Sequence, residues 1–170
     1  MARHPGPVLV DTNVIIECWR VGAWKALTSG YAVETVAMCF METQTGFQRR
    51  RPEAQIDSAI LTDTIRKVHT VADADHAEAL TRDPQIAFLD DGERELWTHA
   101  MRREDAWVLC GPDKASLRIG IRLGLKDHLV SLERLLGDVG FRPRIDLKLP
   151  YGQKWLEQTL VELALLEGRK

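Results

Sequence analysis

At 170 residues the chain is long enough to bury one self-supporting core and favours a single domain, with room for a terminal appendage. An apolar content of 45% beside 28% charged residues excludes a disordered polyelectrolyte, and no run approaches the eighteen apolar residues that a membrane-spanning helix needs. The net charge of -2 hides an uneven distribution: six Lys/Arg face four Asp/Glu in 142–170, whereas 1–141 holds 17 basic and 21 acidic residues, so total charge weighs only mildly against RNA binding.

Met1 to Pro7 lack the apolar segment and cleavage site of a secretory signal, which makes the cytoplasm the expected compartment. Val8-Leu9-Val10 is then a continuously apolar run, suited to a strand covered on both faces, and it ends at Asp11. Asn13 can cap a following helix whose apolar positions include Ile15, Ile16, Trp19 and Trp24. Tyr31-Ala32-Val33 predicts a second brief strand, and from Glu34 to about Gln44 the stripe Val36, Ala37, Phe40, Met41 predicts a helix with Glu42 near its end. Pro52 interrupts the chain after Arg49-Arg50-Arg51. Helices around 53–66 and 73–82 follow, with Val68-His69-Thr70-Val71 between them as strand.

Asp91-Gly92-Glu93 opens a strong helix, Glu93 to Arg103, with Leu96, Trp97 and Ala100 on one side. Trp107-Val108-Leu109-Cys110 is the clearest later strand, ended by Gly111-Pro112-Asp113. Residues 114–124 read as a helix closed by Gly124, and His128 to Leu136 as another closed by Gly137. Ile145, Leu147 and Leu149 alternate between Pro143 and Pro150 as an edge strand or extended arm, and a last amphipathic helix runs from Lys154 to Glu167. Strands feeding helices predict an α/β protein, a three-layer α/β/α sandwich with a short, mostly parallel central sheet. The division expected is a body of 1–140 and a C-terminal extension of 141–170.

Asp11 and Asp113 each follow a strand directly, and in a parallel sheet the carboxyl ends of strands form the ligand crevice. Asp91 and Glu93 stand at a helix start, where free amides favour anions, while Glu42 sits where the helix dipole gives its carboxylate no help. Carboxylates converging in one pocket repel one another and raise a pKa, a conflict that a hard divalent cation, Mg²⁺ or Mn²⁺, relieves. Such ions activate water and offset charge on a phosphoryl oxygen. Each acid alone is equally at home as a cap or surface group. Cys18, Cys39 and Cys110, odd in number and widely spaced, read as buried free thiols rather than zinc ligands. A rival zinc set, His69, Asp73, Asp75, His76 and Glu78, has no fixed metal-binding spacing, and Ser131 has no nucleophile context.

Residues 8–15, VLVDTNVI, resemble the opening of PIN domains, the metal-dependent nuclease fold of many bacterial and archaeal toxin–antitoxin ribonucleases. Glu42 falls where that family has its second acid, Leu89-Asp90-Asp91-Gly92-Glu93-Arg94-Glu95 is similar to a third motif in which Glu93 supplies the ligand, and Leu109 to Asp113 resembles the fourth. The likeness covers residues 8–140. It implies a Mg²⁺- or Mn²⁺-dependent endoribonuclease with Asp11, Glu42, Glu93 and Asp113 as catalytic metal ligands and with Thr12, Asn13 and Asp91 in support. It also implies an RNA substrate, a cognate antitoxin and a homodimer. Arg118 and Arg122, one turn apart, and Arg49, Arg50 and Arg51 are candidate contacts to the RNA backbone. Lys114, where many relatives carry an acidic or small polar residue, favours one alternative, a catalytically weak protein- or metal-binding relative; a DNA-directed nuclease is a separate alternative, since related nuclease folds act on DNA.

Overall fold

The computed structural model describes residues 3–46, 50–52 and 55–168. In chain order the elements are β1 (Val8–Val10), α1 (Thr12–Arg20), α2 (Trp24–Gly30), β2 (Val33–Val36), α3 (Ala37–Gln44), α4 (Ser58–Thr64), β3 (Lys67–His69), α5 (Asp73–Arg82), α6 (Asp91–Ala100), β4 (Val108–Cys110), α7 (Lys114–Arg122), α8 (Leu132–Asp138) and α9 (Gln153–Leu166). The four strands form one sheet in the order β3-β2-β1-β4, and every pairing is parallel. The chain thus builds outward from β1 to β3 and then returns to place β4 on the other side of β1. That reversal puts a crevice at the carboxyl ends of β1 and β4, where open parallel sheets collect ligands.

Alternation along three-residue strands assigns the two faces. Val8 and Val10 point into one core with Val14, Ile15, Leu27 and Leu132, whereas Leu9 points into another with Val36, Leu96, Trp97 and Ile119. Both layers are covered by helices, so the three-layer α/β/α sandwich expected from the pattern is the observed fold. β1 is completely buried, which explains its unbroken apolarity.

The predicted helix beginning at Glu34 is instead strand up to Val36. Val33, Thr35 and Val36 are β-branched, and all four residues of β2 are buried. The Thr35 hydroxyl donates to the Val10 carbonyl at 2.7 Å, giving a buried polar side chain its partner in the extended form. The helix read over 53–66 is shorter: α4 starts at Ser58, capped by Asp57, while 53 and 54 lie outside the described residues. The helix read from His128 is a short 3₁₀ turn at Lys126–His128 followed by α8, whose N-cap is Ser131. Asn13 is not the cap of α1; Asp11 is.

Residues 141–152 take the extended-arm alternative and add no strand to the sheet. The arm is tied to α1: the Arg20 guanidinium donates to the Asp146 carbonyl (2.7 Å) and the Lys148 amide to Glu17 (2.9 Å). Beyond it, α9 lays Leu156, Leu160, Leu163 and Ala164 against Leu117 and Ile121 of α7. This packing joins residues 141–168 to the body energetically. Leu156→Ala is therefore expected to cost about 2–4 kcal/mol by urea denaturation within a single transition. An autonomous C-terminal appendage would instead give a separate transition or no loss.

Candidate active site

Three carboxylates at the crevice are helix caps. Asp11 follows β1 and its Oδ1 accepts from the Val14 amide at 2.8 Å. Asp113 follows β4, and its Oδ1 accepts from Ala115 (2.8 Å) and Ser116 (3.1 Å) at the start of α7. Asp90 caps α6 through Oδ1 and the Glu93 amide, 2.8 Å. Capping fixes each side chain with one oxygen and leaves the other without a donor among the described residues.

Glu42 arrives from the far end of α3. Its Oε2 accepts from the Thr12 hydroxyl at 2.5 Å and its Oε1 from the Gly92 amide at 3.1 Å. The helix that carries Gly92, α6, is clamped to α3 at two points: its Glu95 accepts from the Met38 amide (2.7 Å), and the Cys39 thiol lies 3.5 Å from the Gly92 carbonyl. The lack of a side chain at Gly92 leaves room for Glu42. A Cβ there would lie 2.6 and 2.9 Å from the two carboxylate oxygens of Glu42. Gly111 gives Asp11 similar room, since a Cβ would stand 3.2 Å from Asp11 Oδ2.

Asp11 and Glu93 are almost inaccessible, 3% and 6% exposed. Glu93 accepts no hydrogen bond among the described residues. Burial, aided by the charges of Asp90, Asp113 and Glu42 and only partly opposed by the Val14 amide, pushes the Asp11 carboxyl up to about 7. Burial first, then the charges of Asp113, Asp90, Asp11 and Glu42, push Glu93 up to about 9. Asp11, Glu42, Asp90, Glu93 and Asp113 therefore share one electrostatic neighbourhood, which contains the four acids singled out in the sequence.

Other buried acids in the same protein behave oppositely. Burial would also raise Glu17, Glu34 and Asp83, yet hydrogen bonds from Arg20, from His69 and Arg103, and from Arg122 outweigh it, and all three carboxyls are held low. No Lys, Arg or His forms an ion pair with any of the five crevice acids among the described residues. Among the described residues, then, the crevice acids have no counterpart to the arginines that pair with Glu17, Glu34 and Asp83. An all-oxygen, multiply anionic set with unused lone pairs fits a hard divalent cation, Mg²⁺ or Mn²⁺. No three of these carboxylates bring ligand atoms within 4.8 Å of one another.

Of the supporting residues, Thr12 orients Glu42 as described, while Asn13 is exposed and offers its carbonyl to the Tyr151 hydroxyl at 3.2 Å. Asp91 does not face the crevice. Its side chain is 68% exposed and pairs with Arg94 at 3.3 Å. The acid that joins the set is its neighbour Asp90, which the sequence reading passed over. The signal was present in the pattern Asp90-x-x-Glu93, a cap residue three positions before a Glu at a helix start.

The basic residues are engaged elsewhere. Arg118 pairs with Glu167, and Arg122 bridges Asp83 (2.6 Å) and Glu167 (3.0 Å), so both fasten α7 to its surroundings rather than stand free for a phosphate backbone. Arg50 donates to the carbonyls of Thr43, Glu42 and Thr45 and closes the C-terminus of α3; Arg51 is exposed, and Arg49 lies outside the described residues. Lys114 reaches Glu162 of α9 at 3.6 Å. The rival zinc set is dispersed: Asp75 and Glu78 pair with Arg102, His76 meets Thr98, and His69 joins Glu34. All three cysteines are free and buried. Ser131 is occupied as a cap and donates to Gln153. No helix among the described residues is long and apolar enough to cross a membrane.

No protein-family model matches this chain, and no curated protein matches it.

Two outcomes are expected. Raised carboxyl pKa values mean that the metal-free native state holds more protons than the unfolded chain between the ordinary values, 3.8 and 4.5, and about 7 and 9. Stability in EDTA therefore falls as pH rises from about 5 to 9, and saturating Mg²⁺ or Mn²⁺ restores it most at the alkaline end. Thermal melts at pH 5, 7 and 9 with and without the ion measure this, at about 2–4 °C per kcal/mol for a chain of this size. Gly92→Ala displaces the Glu42 carboxylate, a flexible end, and so is expected to weaken divalent-cation binding about tenfold in calorimetry while leaving a cooperative fold.

Proposed function

We propose that this chain is a Mg²⁺- or Mn²⁺-dependent endoribonuclease of the PIN type. The observation that supports it best is the contrast among buried acids. Among the described residues every other strongly buried carboxylate is paired with an arginine, whereas Asp11 and Glu93, with Glu42, Asp90 and Asp113 beside them, form no ion pair with a described cationic side chain. A fold that maintains such a conflict at the switch point of its sheet has use for an exogenous cation. The nuclease reading adds the sequence resemblance over 8–140, and the antitoxin and dimer expectations rest on that resemblance.

A bound divalent ion supplies Lewis-acid polarisation of a phosphoryl oxygen and lowers the pKa of water. The chain's own residues set where that happens. Asp11 and Asp113 present their free oxygens from caps on two adjacent strands, and Thr12 with the Gly92 amide turns Glu42 toward the same space. Glu93, with no donor on its carboxylate among the described residues, would be available to ligate the ion or, once the bound cation had displaced its proton, to accept one from water. The N-termini of α1, α6 and α7 meet at the crevice, so their dipoles favour an anionic phosphodiester once the carboxylates are neutralised. The arm forms an adjoining wall: Lys148, Pro150 and Tyr151 line a cleft of about 200 Å³ with Asn13, Pro112 and Asp113.

The test compares the native chain with the Asp11→Asn/Glu93→Gln variant on a mixed RNA pool and on matched DNA, in Mg²⁺, in Mn²⁺ and in EDTA. Asparagine caps a helix as well as aspartate, so the variant keeps the start of α1. Metal-dependent RNA cleavage that falls by 100-fold or more in the folded variant is the expected result. Cleavage indifferent to EDTA or to the substitutions sinks the proposal, and equal or better cleavage of DNA moves the substrate class.

A further inference from the structure

Away from the crevice, the described residues contain one tight set of metal-type ligands. Glu34 on β2, His69 at the end of β3 and His99 in the last turn of α6 each offer one ligand atom, and the three lie within 4.8 Å of one another. Glu34 is buried, and the two half-buried imidazoles are stacked with ring centroids 3.9 Å apart. One atom occupies the middle. Nη1 of Arg103 is 2.5 Å from Glu34 Oε2, 3.1 Å from His99 Nε2 and 3.4 Å from His69 Nε2.

This arrangement is self-consistent without a metal. His69 donates from Nε2 to Glu34 at 2.7 Å, and Nη1 donates to Glu34 and His99. Moving Nη1 aside and shifting the His69 proton to its other ring nitrogen leaves one carboxylate oxygen and two imidazole nitrogens facing one point. Two imidazoles and a carboxylate form a ligand set for borderline transition ions, with a further position left for water. Arg103 has somewhere else to remain: its Nε and Nη2 already hold Asp105 at 2.8 and 2.5 Å. The C-terminal end of α6, where His99 lies, is also the negative end of the helix dipole.

We propose that Glu34, His69 and His99 form a second cation site, for a transition ion of the Zn²⁺ class, which binds in competition with the Arg103 guanidinium. The site is independent of the crevice in its chemistry. Nitrogen donors select Zn²⁺-type ions, and the all-oxygen crevice selects Mg²⁺ or Mn²⁺. Both sites nevertheless touch α6, the crevice at Glu93 and this one at His99, about 9 Å apart along the helix axis by its rise per residue.

The test uses the full chain in saturating Mg²⁺, titrated with Zn²⁺. In histidine-labelled protein, coordination shifts of ring nitrogens are expected at His69 and His99 alone among the five histidines, the others being His4, His76 and His128. Calorimetry is expected to give one Zn²⁺ per chain, with Arg103→Gln binding tenfold tighter or more. Shifts that miss either His69 or His99, no saturable Zn²⁺ binding, or an affinity unchanged in a folded Arg103→Gln variant overturns the proposal. If that variant fails to fold, the wild-type histidine shifts decide alone.

Discussion

Carboxylates gathered at the carboxyl ends of β1 and β4, with no ion pair to a cationic side chain among the described residues, are the constraint around which this fold is arranged. Removing an ionised carboxylate from water carries a penalty of several kcal/mol, and this protein buries both Asp11 and Glu93. It offsets part of that penalty with backbone amides: Asp11, Asp90 and Asp113 each cap a helix. The caps perform two tasks with one side chain. Oδ1 satisfies helix amides that would otherwise be orphaned, and Oδ2 is left to the crevice. Because the caps belong to three helices that follow different segments of chain, the site forms only when the sheet order and the helix starts are all in place.

The same protein shows what a buried acid looks like when its role is to hold parts together. Glu17 binds Arg20 and the Lys148 amide, joining α1 to the C-terminal arm, and Asp83 binds Arg122, joining the end of α5 to α7. In each case hydrogen bonds from an arginine overcome the effect of burial, and the carboxyl titrates low. Glu93 is equally buried but titrates high. The difference is the chemistry of the neighbours, which makes it a stronger pointer to a ligand site than burial alone.

Most of the scaffold was readable from local patterns. Val8-Leu9-Val10 and Trp107 to Cys110 show continuous apolarity because their strands are covered on both faces, and α5, α7 and α9 follow their predicted spans within a residue or two. At Glu34 the local pattern misleads because all four residues of β2 are buried and show no alternation; its apolar neighbours match a helical stripe equally well, and pairing with β1 and β3, with the Thr35–Val10 bond, favours the strand. Within the site, Asp11, Glu42, Glu93 and Asp113 were legible through position after a strand or at a helix end. The choice between Asp90 and Asp91 was not. Both precede the same helix, and a rotation of one residue decides which carboxylate caps inward and which pairs with Arg94 outside. The arginines were misread for a related reason: spacing shows that Arg118 and Arg122 share a face, but not that Glu167, 45 residues or more downstream, returns to meet them.

That return of the chain explains why the C-terminal segment belongs in any account of the site. α7 carries Asp113 at its first turn, and its opposite flank is packed by α9 and bracketed by the Arg118 and Arg122 pairs. The arm before α9 crosses α1, whose cap is Asp11, and its Tyr151 hydroxyl holds the carbonyl of Asn13 two residues beyond that cap. The two aspartates on adjacent strands are thus braced from behind by residues 141–168 through two separate contacts. A crevice that keeps like charges close has to resist their tendency to spread, and rigid packing on the helices that carry them is the available means. The arm and α9 provide that resistance, the arm near the start of α1 and α9 along the length of α7.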